Sequence, residues 1–253
     1  ILIISQNFKK FKNIKHGFFN RNGGQSSGIY KSLNCGFGSS DKKKYISKNI
    51  KIICKKIGCS KKKLVLLYQV HSNKFIFINN NHNFKKKIKS DASITSIKNV
   101  ALGILTADCA PILIYDKKLK IISAIHAGWR GAYKGIIVKV IKFFLTKGSN
   151  VKNIYAVVGP CITGKNYEVK KNFKQRFVKK DKKSINFFKT KKNKTYFCLN
   201  KYVYNQLRQL GVKNLELINK DTYDKKNNFF SARRSTHNNE GDYGRNISII
   251  MIK

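Results

Sequence analysis

The sequence lacks any apolar run long enough to cross a bilayer, and its opening Ile1-Leu2-Ile3-Ile4 is shorter than the apolar region of a signal peptide. Neither a membrane protein nor a secretory leader is expected. Its six cysteines, Cys35, Cys54, Cys59, Cys109, Cys161 and Cys198, form no Cys-x-x-Cys pair and no regular spacing. That excludes a short disulfide-stapled scaffold, and the thiols are expected to be reduced in a cytoplasmic protein. Internal repeats and clear linkers are also missing. With 253 residues and 42% hydrophobic content, the chain is expected to fold as one domain over residues 1–253.

Acidic residues are scarce as well. Eleven Asp and Glu face 54 Lys and Arg, a formal net charge of +43. Such a balance suggests attraction to phosphate backbones. The excess, however, is nearly all lysine, spread as short runs such as Lys42-Lys43-Lys44, Lys61-Lys62-Lys63, Lys85-Lys86-Lys87 and Lys191-Lys192, interleaved with Ile and Asn. That is a solvated background and not one basic stripe, so no specific nucleic-acid partner is expected. Against it the rarer residues stand out. Arginine occurs only at Arg21, Arg130, Arg176, Arg208, Arg233, Arg234 and Arg245, most of them in Gly-, Ser- or Asn-flanked segments. Lysine cannot replace arginine where a planar fork must grip a phosphate or carboxylate.

Residues from Asp41 to Ile57 place Ile46, Ile50, Ile53, Cys54 and Ile57 at helical spacing, with Asp41 as N-cap and Gly58 as stop. Short β-rich runs at Leu64 to Val70, Lys74 to Ile78, Val100 to Leu105, Pro111 to Tyr115 and Leu119 to His126 are expected to form a central sheet, the last two joined as a hairpin through Asp116-Lys117-Lys118. From Ala132 an amphipathic pattern predicts one helix ended by Gly148, followed by a strand at Ile154 to Val158. A helix at Asn200 to Leu210 and strands at Leu215 to Ile218 and Ile247 to Ile252 complete a mixed α/β pattern. The Lys-rich stretch from Lys179 to Lys194 reads as a mobile loop.

Three segments punctuate these strands: Gln69-Val70-His71-Ser72, Thr106-Ala107-Asp108-Cys109-Ala110-Pro111 and His126-Ala127-Gly128-Trp129-Arg130-Gly131. Each adjoins a strand end, where side chains from distant parts of a chain converge. Two imidazoles and a thiolate, His71, Cys109 and His126, then make a tripod suited to zinc with a fourth position open, the pattern of a catalytic rather than a closed structural site. Spacing alone leaves two other readings open. Cys109 and His126 can be buried core residues, or a nucleophile and its base. Among the remaining histidines, His82 reads as plain surface, His237 lies near the arginine pair, and His16 packs locally.

Together the segments resemble the YfiH family, also called laccase-domain or multicopper polyphenol oxidase-like proteins. The likeness starts at His16-Gly17-Phe18-Phe19-Asn20-Arg21-Asn22-Gly23-Gly24 and Ser32-Leu33-Asn34, runs through the three segments and Gly159-Pro160-Cys161-Ile162 with Tyr167-Glu168-Val169, and closes on Phe230-Ser231-Ala232-Arg233-Arg234. The chain departs from the pattern at Asn20, where Ser or Thr is usual, and at Ala232, where an aromatic is common. The resemblance implies an α/β (α+β) layered sandwich of mixed sheets flanked by helices, with His71, Cys109 and His126 as zinc ligands. It also implies phosphorolysis of purine nucleosides, with adenosine deamination and methylthioadenosine cleavage associated.

For such chemistry Asp108 is the expected proton carrier or ligand orienter, and Arg130 the holder of phosphate, with Arg233 or Arg234 sharing that role. Glu168 is the candidate for the ribose hydroxyls and Asn34 for base or sugar. Zinc is preferred to copper on counting: five histidines and one methionine, Met251, are too few for a mononuclear copper plus a trinuclear cluster. An amidase acting on amino-acyl cell-wall precursors would use the same zinc. A nucleic-acid-binding module would need no metal.

Overall fold

The computed structural model describes residues 2–81, 83 and 88–253; His82 and the Lys85-Lys86-Lys87 run lie outside them. Strands that sequence reading places in one central sheet are divided between two. The five-stranded sheet runs in the order Leu2–Ile3, Ile14–Phe19, Asn246–Ile252, Ala101–Thr106, Leu64–Leu66, antiparallel except for the last pair. The six-stranded sheet runs Asn214–Leu217, Ile154–Val158, Ala110–Asp116, Ile121–Ala127, Ala92–Thr95, Phe75–Ile78, antiparallel in the middle and parallel at both edges. Which strands pair is decided by non-local packing, which periodicity does not carry.

Alternation along each strand builds the layers. In Asn246–Ile252, Ile250 and Ile252 face the other sheet, where they meet Leu113, Ile122, Ala124 and Val157. Ile247, Ile249 and Met251 face the opposite way, onto Ile46, Ile50, Ile53 and Ile57 of the Lys43–Ile57 helix. Ile112, Ile114 and Ile125 of the six-stranded sheet likewise turn outward, against Ile137, Val140, Ile141 and Phe144 of the Ile136–Thr146 helix and Val203 and Leu207 of the Leu199–Gln209 helix. The product is a mixed α/β sandwich: helix, sheet, sheet, helices.

Several local expectations shift. Lys42, not Asp41, caps the first long helix, because the Asp41 carboxylate is taken by Asn34 Nδ2 at 3.0 Å and its own neighbour's amide, Lys42 N, at 2.7 Å. Gly58 closes that helix in the left-handed conformation, φ 77°. The single helix expected after Ala132 is two, Trp129–Tyr133 and Ile136–Thr146, broken where Gly135 adopts φ 83°. The stretch from Lys179 to Lys194 is not an unstructured loop. It ends the helix Lys171–Lys180, forms the 3₁₀ turn Lys182–Phe187 and enters the antiparallel pair Phe188–Lys191 and Lys194–Phe197, which joins Glu168–Val169 in a small third sheet. Buried Phe177, Phe188 and Phe197 hold it beneath its lysines. The hairpin through Asp116 forms as expected, Asp116 pairing with Ile121. Among the described residues no helix is long and apolar enough to cross a membrane.

His16 does pack locally. Its ring meets Phe8 edge-on at 5.1 Å, and Nε2 accepts a hydrogen bond from Ser5 N at 2.9 Å. Burial holds its pKa down at about 4, outweighing Glu216 and Ser5, which act the other way. The unfolded chain therefore binds more protons than the native one between these values, so stability is present above about pH 6.5 and is lost as pH falls toward 4. Denaturant unfolding across that window should show a loss of about 3 kcal/mol that is absent in His16→Gln; the same slope in both proteins would contradict it.

Candidate metal centre

The centre forms where the chain passes from one sheet to the other. Ala101–Thr106 ends the five-stranded sheet, Ala107-Asp108-Cys109 crosses over, and Ala110–Asp116 enters the six-stranded sheet. Asp108 makes that crossing with φ 83°. The strand register sets Ala110 opposite Ala127 and Pro111 opposite His126, which brings Cys109 beside His126. His71 arrives from the loop after Leu64–Leu66, itself at φ 56°. The ligand atoms of His71, Cys109 and His126 lie within 4.8 Å of one another. Sγ of Cys109 is 3.7 Å from Nε2 of His71, close to the roughly 3.6 Å that tetrahedral zinc geometry imposes between a sulfur and a nitrogen ligand. The two imidazoles meet edge to face at 4.7 Å and 74°. A side chain at Gly128 would enter this space, its Cβ 2.7 Å from Cys109 Sγ and 3.1 Å from His71 Cδ2.

A carboxylate that sequence reading missed holds the group in place. Asp91 is fully buried. Its Oδ1 lies 2.8 Å from His126 Nδ1 and accepts from His71 N at 2.9 Å, while Oδ2 accepts from Ser72 N and Ser72 Oγ, both at 2.6 Å. Its backbone carbonyl accepts from His126 N at 2.7 Å. One side chain thus orients one imidazole, leaving Nε2 for the centre, and fixes the backbone of the other. The available signal was rarity: Asp91 is one of 11 acidic residues, in Ser90-Asp91-Ala92 at a strand start.

The charges follow from this packing. Burial pushes the Asp91 carboxyl up, but hydrogen bonds from His126 and Ser72 prevail and hold it at about 2. Burial disfavours the imidazolium of His126, yet the Cys109 thiolate and Asp91 raise it to about 9. Burial also opposes the Cys109 thiolate, and the charge of His126 with hydrogen bonds from both imidazoles overcomes it, to about 6. A stabilised thiolate and two oriented imidazoles are a donor set that fits a borderline-soft divalent metal.

Two cavities meet at this group. One of about 390 Å³ is lined by Phe37, Leu66, Tyr68, Leu105 and Arg245, and the other, about 310 Å³, by Trp129, Arg130, Ile162, Tyr167 and Arg233; His71, Cys109 and Tyr243 border both. Arg130 is exposed and lies over Trp129 at 5.2 Å. Arg233 lies over Tyr167 at 5.2 Å, with Nη1 on the Glu168 carbonyl at 2.7 Å. The other expected residues have partners of their own, and of them only Asp108 borders one of these cavities. Asp108 is buried, its oxygens accepting from Thr222 Oγ1, Ser231 Oγ and Arg233 N at 2.7, 2.9 and 2.7 Å. Burial raises its pKa against those bonds. The carboxylate on His126 is Asp91, not Asp108. Arg234 turns away, Nη1 on the carbonyls of Thr222 and Tyr223 and Nη2 on that of Phe229. Asn34 is fully buried and braces its loop through Ser39, Asp41, Gly36 and Arg245. The Glu168 carboxylate pairs with Lys194 at 3.0 Å. His237 contacts Tyr223 Oη at 2.9 Å and borders neither cavity.

Residues 15–253 match the model of the multi-copper polyphenol oxidoreductase laccase family. The chain belongs to this family. A purine nucleoside phosphorylase of Rickettsia prowazekii is 35% identical over 192 residues, 75% of this chain and 78% of the relative. One of Bacteroides thetaiotaomicron is 32% identical over 262 residues, covering 98% of this chain and 94% of its own. The crystal structure of Bacillus licheniformis hypothetical protein YfiH superposes with a TM-score of 0.87 at 25% identity, across 97% of this chain and 95% of that one. Geobacillus stearothermophilus YlmD, at 23% identity and a TM-score of 0.86 over 98% of this chain and 94% of its own, shares the fold. The name of the laccase family implies several coppers. Among the described residues, His71, Cys109 and His126 are the one group of His, Cys, Asp or Glu close enough to hold an ion.

Asp91→Asn should lower the affinity of the protein for Zn²⁺ by about 10- to 100-fold, measured by competition with a chromophoric chelator. An unchanged affinity in a folded variant would show that Asp91 does not position the ligands.

Proposed function

We propose that the chain is a cytoplasmic, zinc-dependent purine nucleoside phosphorylase, folded as one catalytic domain over residues 1–253. Its substrates are adenosine and related nucleosides, inosine, guanosine and methylthioadenosine, with phosphate, and adenosine deamination accompanies the phosphorolysis. The observation that carries the reading is the position of the His71, Cys109, His126 group between two cavities, one bordered by Phe37 and Tyr68 and the other by Arg130 and Arg233. The names of the Rickettsia and Bacteroides relatives point the same way.

Phosphorolysis needs a purine held on one side of C1′ and a phosphate oxygen on the other. The C1′–N9 bond breaks as the C1′–O bond forms, and the departing base takes up the proton that the attacking hydrogen phosphate gives up. Phe37, Tyr68 and Tyr243 offer ring faces to the base. Arg130 and Arg233 supply guanidinium forks for the phosphate, and the fixed placement of Arg233 through Glu168 and Tyr167 lowers the entropy cost of gripping it. Trp129, Ile162 and Leu199 form an apolar wall that excludes water behind the anion. Asp91 keeps His126 in one tautomer and orientation. Zinc, when bound by the three ligands, supplies Lewis acidity at the junction. The 3.7 Å approach of His71 to Cys109 favours a shared metal over Cys109 acting as a nucleophile with His126 as base, a role for which His71 is not needed.

Zinc-loaded protein should release adenine and ribose 1-phosphate from adenosine only when phosphate is present. Cys109→Ala should abolish that release, and Arg130→Gln or Arg233→Gln should raise KM for phosphate about tenfold. Adenine release that ignores phosphate, or a KM for phosphate untouched by both arginine variants, would contradict the proposal.

A further inference from the structure

The short helix Ala232–His237 has two faces, and they border different cavities. Ala232, Arg233 and Thr236 face the metal-ligand group; Ser231, Arg234 and Ser235 face a separate cavity of about 460 Å³ that none of His71, Cys109 and His126 lines. Four cations border this second cavity, Arg21, Lys31, Lys225 and Arg234, against one carboxylate, Glu240. In a lysine-rich chain most cations are solvated and mobile, but the two arginines here are held by backbone carbonyls. Nε of Arg21 donates to the Lys31 carbonyl at 2.5 Å and Nη2 to that of Ile29 at 3.2 Å, and the guanidinium lies 4.6 Å over the ring of Phe230. Arg234, 8% exposed, is fixed on the three carbonyls of Thr222, Tyr223 and Phe229.

Carbonyls position these guanidiniums without neutralising them, and among the described residues neither arginine forms a salt bridge. Nη1 of Arg21 has no hydrogen-bond partner among the described residues. Burial and the neighbouring Arg234 cation both depress Arg21, with Glu240 opposing them. Two like charges held rigidly beside each other in a concave wall are stabilised by an anion that bridges them, and arginine is the residue for which lysine cannot substitute in that task. The volume lies within the range of small-molecule sites and far exceeds what a lone phosphate fills. Ile29, 38% exposed, adds apolar surface beside the cations, while buried Phe230 lies beneath Arg21.

We infer that this cavity is a second ligand site, taking a phosphomonoester of mononucleotide size, with its phosphate against Arg21, Arg234, Lys31 and Lys225 and its organic part along Ile29. Its occupant shares the Ala232–His237 wall with the metal centre and does not enter it. The site stands on its own geometry, whether or not the proposed activity holds.

Calorimetric titration of the full chain with adenosine 5′-monophosphate, and separately with inorganic phosphate, tests this. In an Arg130→Gln background, which weakens any phosphate held beside the metal-ligand group, the nucleotide should still bind; adding Arg21→Gln should weaken that binding about tenfold and adding Lys225→Glu about threefold. Lys225 is exposed, so its variant keeps the test valid if Arg21→Gln fails to fold. Inorganic phosphate binding more weakly with the same dependence on Lys225 supports the phosphomonoester; equal affinity for both supports the phosphate contact and overturns the organic one. Binding that ignores Lys225→Glu, or that is lost instead in Arg130→Gln, overturns the site altogether.

Discussion

One buried carboxylate ties the architecture to the chemistry. Asp91 sits at the start of Ala92–Thr95 in the six-stranded sheet, and its two oxygens and its carbonyl receive hydrogen bonds from His126, His71 and Ser72. His126 belongs to the same sheet, whereas His71 stands on a loop leaving the five-stranded one. The same group that orients an imidazole therefore also fastens one sheet's exit loop to the other sheet. A buried charge is costly unless fully hydrogen bonded, and here the bonding is so complete that the carboxylate stays ionised at about 2. That charge in turn favours the imidazolium and, through it, the thiolate of Cys109.

Around this anchor the rest of the centre follows from close approach. The Ala107-Asp108-Cys109 crossover delivers sulfur to the seam between the sheets, and Gly128 leaves the room for it. Asp108 holds the crossover to the Ala232–His237 helix through Ser231 and Arg233. It works as a brace between segments that carry ligands and segments that carry cations. That helix distributes its two consecutive arginines to opposite faces, so a single turn of chain borders both the metal centre and the second cationic cavity.

The His71, Cys109, His126 group was legible because these are rare residues at strand ends in a chain filled with Lys, Asn and Ile. Sheet layering was legible in part: Ile247 to Ile252 reads as a strand, and the fold buries that strand on both faces. Partner choice was not, since the Ala92–Thr95 strand that carries Asp91 into place is short and pairs with residues far along the chain. Composition also misled where it hid packing. The lysines from Lys179 to Lys194 conceal Phe187 and Phe188, whose burial gives that stretch its structure. Polar residues such as Asn34, Glu168 and Arg234 stand out in the sequence without showing their contacts. Their partners are backbone groups and neighbouring side chains, and only coordinates reveal that.

The central claim is that His71, Cys109 and His126 bind one ion together. X-ray absorption at the metal edge of the purified full chain, with metal content measured on the same sample, tests it most directly. The account predicts one zinc per chain with one sulfur neighbour at about 2.3 Å and two imidazole nitrogens at about 2.0 Å. A bound metal with no sulfur neighbour, or a spectrum unchanged by Cys109→Ala, would contradict it.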